Sequence, residues 1–137
     1  MNATLLYRIA SVVLVLFAAG HTFGFLRFKP PSAEGAAVRD AMNNVTFQVG
    51  GRNYTYGGFY QGFGLSISAY LLFTAYLAWY LGALAARNPS AVGGLGWAFC
   101  ALQLANVALG WVYFAPVTAV FAAVVALCTA WAAWLVR

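Results

Sequence analysis

Four long apolar segments set the limits on how this chain can fold. They cover residues 5–26, 59–86, 95–114 and 116–136, and most of the charged residues lie near their ends or in the long connection between the first two. A helix needs about 20 apolar residues to cross the hydrocarbon core of a bilayer. Only 7% of the residues are charged, against roughly a quarter in soluble domains. The sequence predicts an all-α membrane protein, with four transmembrane helices in an antiparallel bundle that forms a single domain over residues 1–137.

The connection over residues 27–58 carries its own structural signals. Ser32 is a suitable N-cap, and the residues after it have the spacing of a short helix that continues to Asn43. Alternating β-forming residues then flank Gly50-Gly51, a pattern typical of a β-hairpin. An isolated hairpin is marginally stable in water. We therefore predict a structured loop that rests on the helix ends or on the membrane surface.

Small residues recur at helical spacing in the third and fourth segments. They are Ala98, Ala101, Ala105 and Ala108 in the third, and Ala119, Ala123, Ala126, Ala130 and Ala133 in the fourth. Such rows let two helices approach closely where lipid offers no hydrophobic penalty to overcome. We predict that these two segments form a tight antiparallel helical hairpin along facing alanine rows. Cys100 and Cys128 point away from the rows, so no disulfide is expected between them.

Two pairs of glycines have the GxxxG spacing. Gly20 and Gly24 lie near the end of the first segment, and Gly58 and Gly62 lie at the start of the second. This spacing permits close helix contact in membranes. Such pairs are frequent by chance in glycine-rich membrane helices, so the spacing alone is a weak signal of contact.

The basic residues are isolated and flank the apolar segments. The formal net charge is +5, yet no basic run resembles a nucleic-acid-binding patch. Four spans place both termini on one side, marked by Arg8, Arg87 and Arg137, whereas Arg27 and Lys29 lie at a span end on the other. With Arg39 and Arg52 of the loop the full count is three against four, whereas the bases close to span ends number three against two. By the positive-inside rule, the count close to span ends favours cytoplasmic termini in a multi-pass membrane protein.

His21 is the only histidine, and it lies about one helical turn from the loop end of the first segment. Ionisable groups at such a depth are costly and are often functional. Three interpretations remain open. The favoured one is a neutral imidazole bonded to a carbonyl of a neighbouring span or loop; the others are a ligand contact and a metal or haem ligand.

The third segment carries two amides, Gln103 and Asn106, one turn apart. Together with Cys100, Gly110 and Tyr113 they form a partly polar stripe. A buried amide needs a partner in hydrocarbon, so the stripe should face the bundle interior. A link between helices is the favoured role there, and ligand recognition is the alternative.

We expect Asn106 and Tyr113 of this stripe to meet His21 and Gln61 beneath the long loop. Arg52 is the best base in the loop for a salt bridge with Asp40 or Glu34, or for an anion contact. The candidate ligand-binding residues are His21, Arg52, Tyr60, Gln61, Gln103, Asn106, Trp111 and Tyr113.

Several short motifs carry a resemblance to a known family. They are Gly20-His21-Thr22, Met42 and Phe47 in the loop, Gly51-Arg52-Asn53-Tyr54, and Phe59-Tyr60-Gln61-Gly62-Phe63-Gly64-Leu65. Over nearly its whole length the chain resembles a family of small bacterial four-helix integral membrane proteins. More loosely, in architecture alone, it is similar to DoxX-like proteins. The resemblance implies a fold and a membrane location, and it brings no assigned activity.

The sequence contains no nucleophile–base pair, carboxylate dyad or glycine-rich phosphate loop, which argues against hydrolase or transferase chemistry. Our leading hypothesis is a non-catalytic membrane protein that binds a lipophilic ligand or lipid, or that is a subunit of a larger membrane complex. The alternative is a quinone- or haem-linked redox protein that uses His21. Transport is a third possibility, which the lack of an acid within a span weakens. Expected partners are membrane lipids and other membrane subunits, without nucleic acid, and the pattern assigns no cofactor.

Overall fold

The computed structural model describes residues 2–136, and most of these residues are helical. Five α-helices occur within this range: α1 (Ala3–Arg27), α2 (Ala33–Asn44), α3 (Tyr56–Arg87), α4 (Gly93–Tyr113) and α5 (Pro116–Leu135). Two strands, β1 (Thr46–Val49) and β2 (Arg52–Thr55), lie between α2 and α3, and a single 3₁₀ turn (Pro89–Ala91) precedes α4.

The four predicted spans are confirmed as long apolar helices. By length and composition, α1, α3, α4 and α5 can each cross a membrane. With 32 residues, α3 is about 48 Å long at about 1.5 Å per residue. It begins three residues earlier than predicted, at Tyr56, because Thr55 caps it: the Thr55 hydroxyl accepts a hydrogen bond from the Gly58 amide at 2.9 Å.

The described residues divide into two compact units. The first, here called the helix unit, combines α1 up to Ala18 with the chain from Leu71 onward. The second, the loop unit, runs from Ala19 to Tyr70. The single domain predicted over residues 1–137 stays a prediction.

The core of the helix unit contains side chains from all four long helices. It includes several alanines, and the larger members include Leu6, Tyr7 and Leu14 of α1, Leu81 of α3, Phe99 of α4 and Val125 of α5. The Ser11 hydroxyl of α1 donates to the Ala75 carbonyl of α3 at 2.8 Å. Farther along α3, Gly82 lies against the Thr4 carbonyl. These contacts run in opposite directions along the two helices, so α1 and α3 are antiparallel within this unit.

The predicted antiparallel hairpin of α4 and α5 is confirmed, but only one of the two alanine rows forms its contact surface. Ala119, Ala126 and Ala133 of α5 are buried. All four α4 alanines are exposed, so the prediction for that helix is wrong. The helix instead turns Gly96, Cys100, Gln103 and Gly110 inward.

Two physical reasons explain this choice of face. A glycine permits a closer helix approach than an alanine, and Gly96 and Gly110 lie directly against α5 residues. In addition, the polar Gln103 is removed from the apolar outer surface when this face turns inward. An exposed alanine, by contrast, costs little in a lipid environment.

Both cysteines are free, in agreement with the prediction. Cys100 points away from the alanine row of α4, as predicted. Because that row is exposed, the Cys100 thiol lies in the contact between α4 and α5. The Cys100 thiol donates to the Ala126 carbonyl at 3.8 Å. That residue therefore belongs to the packed face of α4.

None of the four GxxxG glycines brings α1 close to α3 among the described residues; at Gly58 a Cβ atom would meet the Thr55 hydroxyl, at the start of its own helix. A Cβ atom built at Gly20, Gly24 or Gly62 meets no other part of residues 2–136 within 4 Å. The close approach occurs at Gly64 instead, where a Cβ would collide with the ring of Phe25. Spacing alone thus selects the wrong glycines in this chain.

The predicted structure of the long connection is confirmed. Ser32 caps α2, and its hydroxyl oxygen accepts from the Gly35 amide at 3.1 Å. Hydrogen bonds from its own backbone N–H and from the Ser32 hydroxyl lower the pKa of Glu34 below its ordinary value. Both polar contacts favour a helix start at this point.

The hairpin turn depends on its two glycines. Gly50 and Gly51 have φ angles of +58° and +78°, and a two-residue turn with two positive φ angles matches the right-handed twist of the strands. The strands pair from Thr46 with Thr55 to Val49 with Arg52. The ring of Phe47 packs edge-on against Phe59 at 5.5 Å, which attaches the hairpin to the start of α3.

Gly110 gives a direct test of the α4–α5 contact. A Cβ atom there would lie 3.0 Å from the Ala119 backbone nitrogen, and the backbone cannot move aside as a side chain can. We expect Gly110→Ala to destabilise the protein by about 1–3 kcal/mol through overpacking, measured as a lower thermal midpoint in detergent. Gly94→Ala is the control, because its Cβ meets no other described residue within 4 Å. Equal midpoints for the two variants would contradict this packing.

Candidate functional site

A cavity of about 440 Å³ lies within the loop unit. Its walls come from the end of α1, the Pro30-Pro31 connection, α2 and the first turns of α3. The main apolar side chains are Phe25, Leu26, Phe28, Val38, Met42 and Tyr60, and the polar ones are Arg39, Asn43 and Gln61. Its volume falls in the range of about 300–1,000 Å³ that is usual for small-molecule sites.

The local sequence explains how this cavity forms. Two consecutive prolines cannot continue α1, so the chain turns away at Pro30. After the Ser32 cap, α2 places Gly35, Val38 and Met42 on one face, toward the cavity. A Cβ at Gly35 would lie 3.0 Å from the Pro30 side chain. The glycine therefore lets α2 pack closely against the connection.

Gly57 has the same role at the start of α3. A Cβ atom at this position would collide with the Asn43 side chain at the end of α2. Glycine at both Gly35 and Gly57 thus keeps α2 close to its neighbours on either side. The cavity walls are held together by these two contacts.

Arg39 is the charged residue of the cavity wall, and it is not among the candidates predicted from the sequence. Its Nη1 atom donates to the Phe28 carbonyl at 2.6 Å, which links α2 to the residue after α1. The signal in the sequence was weak. Arg39 and Met42 are three residues apart and so are neighbours on the surface of the predicted short helix.

His21 forms the contact that was favoured among its three interpretations. Its Nε2 atom lies 3.1 Å from the Gly64 carbonyl oxygen of α3. A carbonyl can only accept, so Nε2 carries the proton and donates, which sets the tautomer. Because haem and metal ligands use an unprotonated ring nitrogen, only Nδ1 retains a lone pair for such a role.

The His21 ring also supports the cavity wall. It stacks on Phe25 with ring centroids 5.8 Å apart, and Phe25 in turn contacts Tyr60 at 5.4 Å. Next to it, the Thr22 hydroxyl donates to the Ser68 hydroxyl at 2.7 Å. His21 is therefore a positioning residue behind Phe25 and does not itself line the cavity.

The other candidates in the loop unit divide between two places. Tyr60 and Gln61 line the cavity, as a ligand site requires. Arg52 is exposed on β2, opposite Val49, and is not part of the cavity wall. Within residues 2–136 it forms no salt bridge with Asp40 or Glu34, so the loop-folding ion pair predicted for it does not form.

The candidates on α4 belong to the helix unit, and their burial differs. Gln103 is only 2% exposed, and Asn106 is half-buried, so the prediction that the amides turn inward is confirmed for Gln103. Trp111 and Tyr113 are 72% and 73% exposed. Tyr113 is therefore not on the inward face predicted for it. The convergence of these residues with His21 and Gln61 stays a prediction.

The buried amide of Gln103 does not behave as a link between helices. Among the described residues its Nε2 atom has no hydrogen-bond partner, and neither has the buried hydroxyl of Tyr7. Tyr7 was not selected from the sequence, although it is the only tyrosine in the first apolar segment. Its hydroxyl occupies the space that a side chain at Gly96 would need.

No group of three or more histidine, cysteine, aspartate or glutamate side chains suited to a metal ion occurs among residues 2–136. Comparison of the chain with models of known protein families, with curated proteins and with solved structures gives no match. The family resemblance drawn from the motifs therefore stays a prediction.

Gly64→Ala tests the close contact between α1 and α3 in the loop unit. The new Cβ would collide with the Phe25 ring, which must then leave His21 and Tyr60. We expect a loss of about 1–3 kcal/mol, seen as a lower thermal midpoint. Gly62→Ala controls for the gain in helix propensity of about 1 kcal/mol and should keep or raise the midpoint. A midpoint for Gly64→Ala equal to that of the control would refute the contact.

Gln103→Met tests whether the buried amide is unpaired. Methionine has a similar shape and no polar group, so removal of an unsatisfied amide should leave the thermal midpoint unchanged or higher. Ser11→Ala is the contrasting variant, because it removes a buried hydrogen bond to Ala75 and should cost about 1 kcal/mol. A clear drop for Gln103→Met would mean that the amide has a partner such as a bound water.

Proposed function

We propose that this protein is a small integral membrane protein that binds a lipophilic small molecule or lipid in the loop-unit cavity and does not catalyse a reaction. The observation that carries the proposal is the cavity itself, with an apolar wall and three convergent polar side chains, Arg39, Asn43 and Gln61. Ligand sites in proteins commonly have this composition. These three groups can orient a ligand, and they supply neither a nucleophile nor a base at neutral pH.

A membrane location is supported by the surfaces of the four long helices. Each carries large exposed apolar side chains, such as Leu16 of α1, Phe73 of α3, Val112 of α4 and Leu127 of α5. Soluble monomers seldom expose apolar surface on this scale, whereas lipid-facing helices require it. The spans suit an antiparallel four-helix bundle of the kind in the resembled family.

The bacterial inner membrane, with both termini cytoplasmic, is the location we propose. The resembled bacterial family supports the choice of membrane. The charge count at the span ends supports the orientation, with Arg8 and Arg87 on the side of the termini and Arg27 and Lys29 on the other. Arg137, which contributes to that count, lies outside the described residues.

Two other functions remain as proposals. One is a role as a subunit of a larger membrane complex, which fits the exposed apolar surfaces of the helices. Co-migration of the protein with other chains on a native gel would test it. A quinone- or haem-linked redox role would use His21, next to the cavity residue Phe25. The support for it is weaker, because Nε2 of His21 already donates to Gly64.

Val38→Trp is the test of the binding proposal. The larger ring would fill part of the cavity and displace apolar ligand surface, so we expect about a tenfold loss of bound ligand, equivalent to about 1.4 kcal/mol. Val49→Trp is a matched control, since Val49 is 58% exposed, Val38 is 61% exposed, and Val49 does not line the cavity. Retained lipophilic molecules are measured by native mass spectrometry of protein purified in mild detergent.

The same preparation separates the binding proposal from the redox alternative. Equal retention by both tryptophan variants would contradict binding in this cavity. A Soret absorbance band in the wild-type protein that disappears in His21→Ala would support the haem-linked alternative in its place.

A further inference from the structure

We infer that the loop-unit cavity takes a single-chain amphiphile with an acidic head group, and that Arg39 binds this head group. The inference rests on the proposed function and names the class of ligand. It follows from the charge, the hydrogen bonding and the size of the cavity.

The charge of the cavity wall is positive. Arg39 is its ionisable group with a full charge at neutral pH, and the nearby acids Glu34 and Asp40 do not line the cavity. The Arg39 side chain is exposed at this wall, so its guanidinium is accessible to the head group of a ligand whose apolar part lies in the cavity. A carboxylate or similar acid group would form a charge-assisted hydrogen bond with it.

The guanidinium is already oriented for such a group. Nη1 of Arg39 donates to the Phe28 carbonyl at 2.6 Å, which uses one of the five N–H donors of the side chain. The remaining donors form a planar fork that matches a carboxylate. The Phe28 contact holds this fork in place before a ligand arrives, so less side-chain entropy is lost on binding.

The rest of the wall suits a hydrocarbon chain. Phe25, Leu26, Val38 and Met42 present apolar surface in the same cavity as Arg39. The volume of about 440 Å³ lies in the lower part of the range for ligand sites, which favours one acyl chain over the two chains of a phospholipid. Asn43 and Gln61 can add hydrogen bonds to the head group.

The experiment compares palmitate with hexadecanol, which have the same chain length and differ in the charge of the head group. Binding to the full-length protein is measured by native mass spectrometry at about pH 8, well above the ordinary carboxyl pKa of about 4. Dipalmitoyl phosphatidylglycerol is included as an acidic lipid with two chains. The proteins are wild type, Arg39→Gln and, as a matched control, Arg52→Gln, whose arginine lies on the exposed hairpin.

We expect wild type and Arg52→Gln to bind palmitate about tenfold more tightly than hexadecanol, because hydrogen bonds between charged groups are about twice as strong as neutral ones. Arg39→Gln should bind the two molecules equally. If Arg39→Gln does not fold, Arg39→Lys is used instead. Lysine keeps the positive charge but lacks the planar fork, so this variant should retain only part of the preference for palmitate.

The remaining outcomes overturn different statements. Equal binding of palmitate and hexadecanol by wild type would overturn the role of Arg39 and leave the proposed function standing. Tighter binding of phosphatidylglycerol than of palmitate would overturn the single-chain ligand. Binding of none of the three molecules would overturn the proposed function itself.

Discussion

Polar groups and close backbone contacts decide which helix faces meet in this protein. Lipid chains are as apolar as the side chains of the four long helices, so burial of apolar area between helices gains little in a membrane. What distinguishes one face from another is a polar atom that avoids hydrocarbon or a glycine that lets backbones approach. In α4 both features lie on the face of Gly96, Gln103 and Gly110, and that face is the one turned inward. The alanine row on its other side remains exposed.

The loop unit depends on the same kind of contact, with different consequences. Gly64 admits the Phe25 ring against α3, while Gly35 and Gly57 let α2 lie close to the connection and to α3. Because these backbone contacts hold the walls, the space between them can stay open without loss of the fold. His21 stabilises the contact between Gly64 and Phe25, because it is hydrogen-bonded to the Gly64 carbonyl and stacked on the Phe25 ring. The only histidine of the chain thus supports the cavity from outside it.

The parts that sequence reasoning predicted correctly are those governed by local chemistry. The apolar runs, the Ser32 cap and the Gly50-Gly51 turn each depend on a few neighbouring residues, and each was confirmed. The polar character of Gln103 also predicted its burial. The failures concern partners that are distant in sequence. Glycine spacing could not show that Gly64 rather than Gly62 contacts α1. The residues next to each arginine of the loop favoured Arg52 as the anion contact, whereas Arg39 lines the cavity.

The sequence by itself determined four helices of membrane-spanning length, the capped short helix and the hairpin, because hydropathy, capping and turn preferences act within one segment. Only the tertiary structure decided which face of each helix is packed, and it brought Arg39 of α2 beside Phe28 and formed a cavity between the end of α1, α2 and the start of α3. Contacts of that kind depend on distances between segments. Those distances are set by the joint packing of several backbones, and no single segment encodes them.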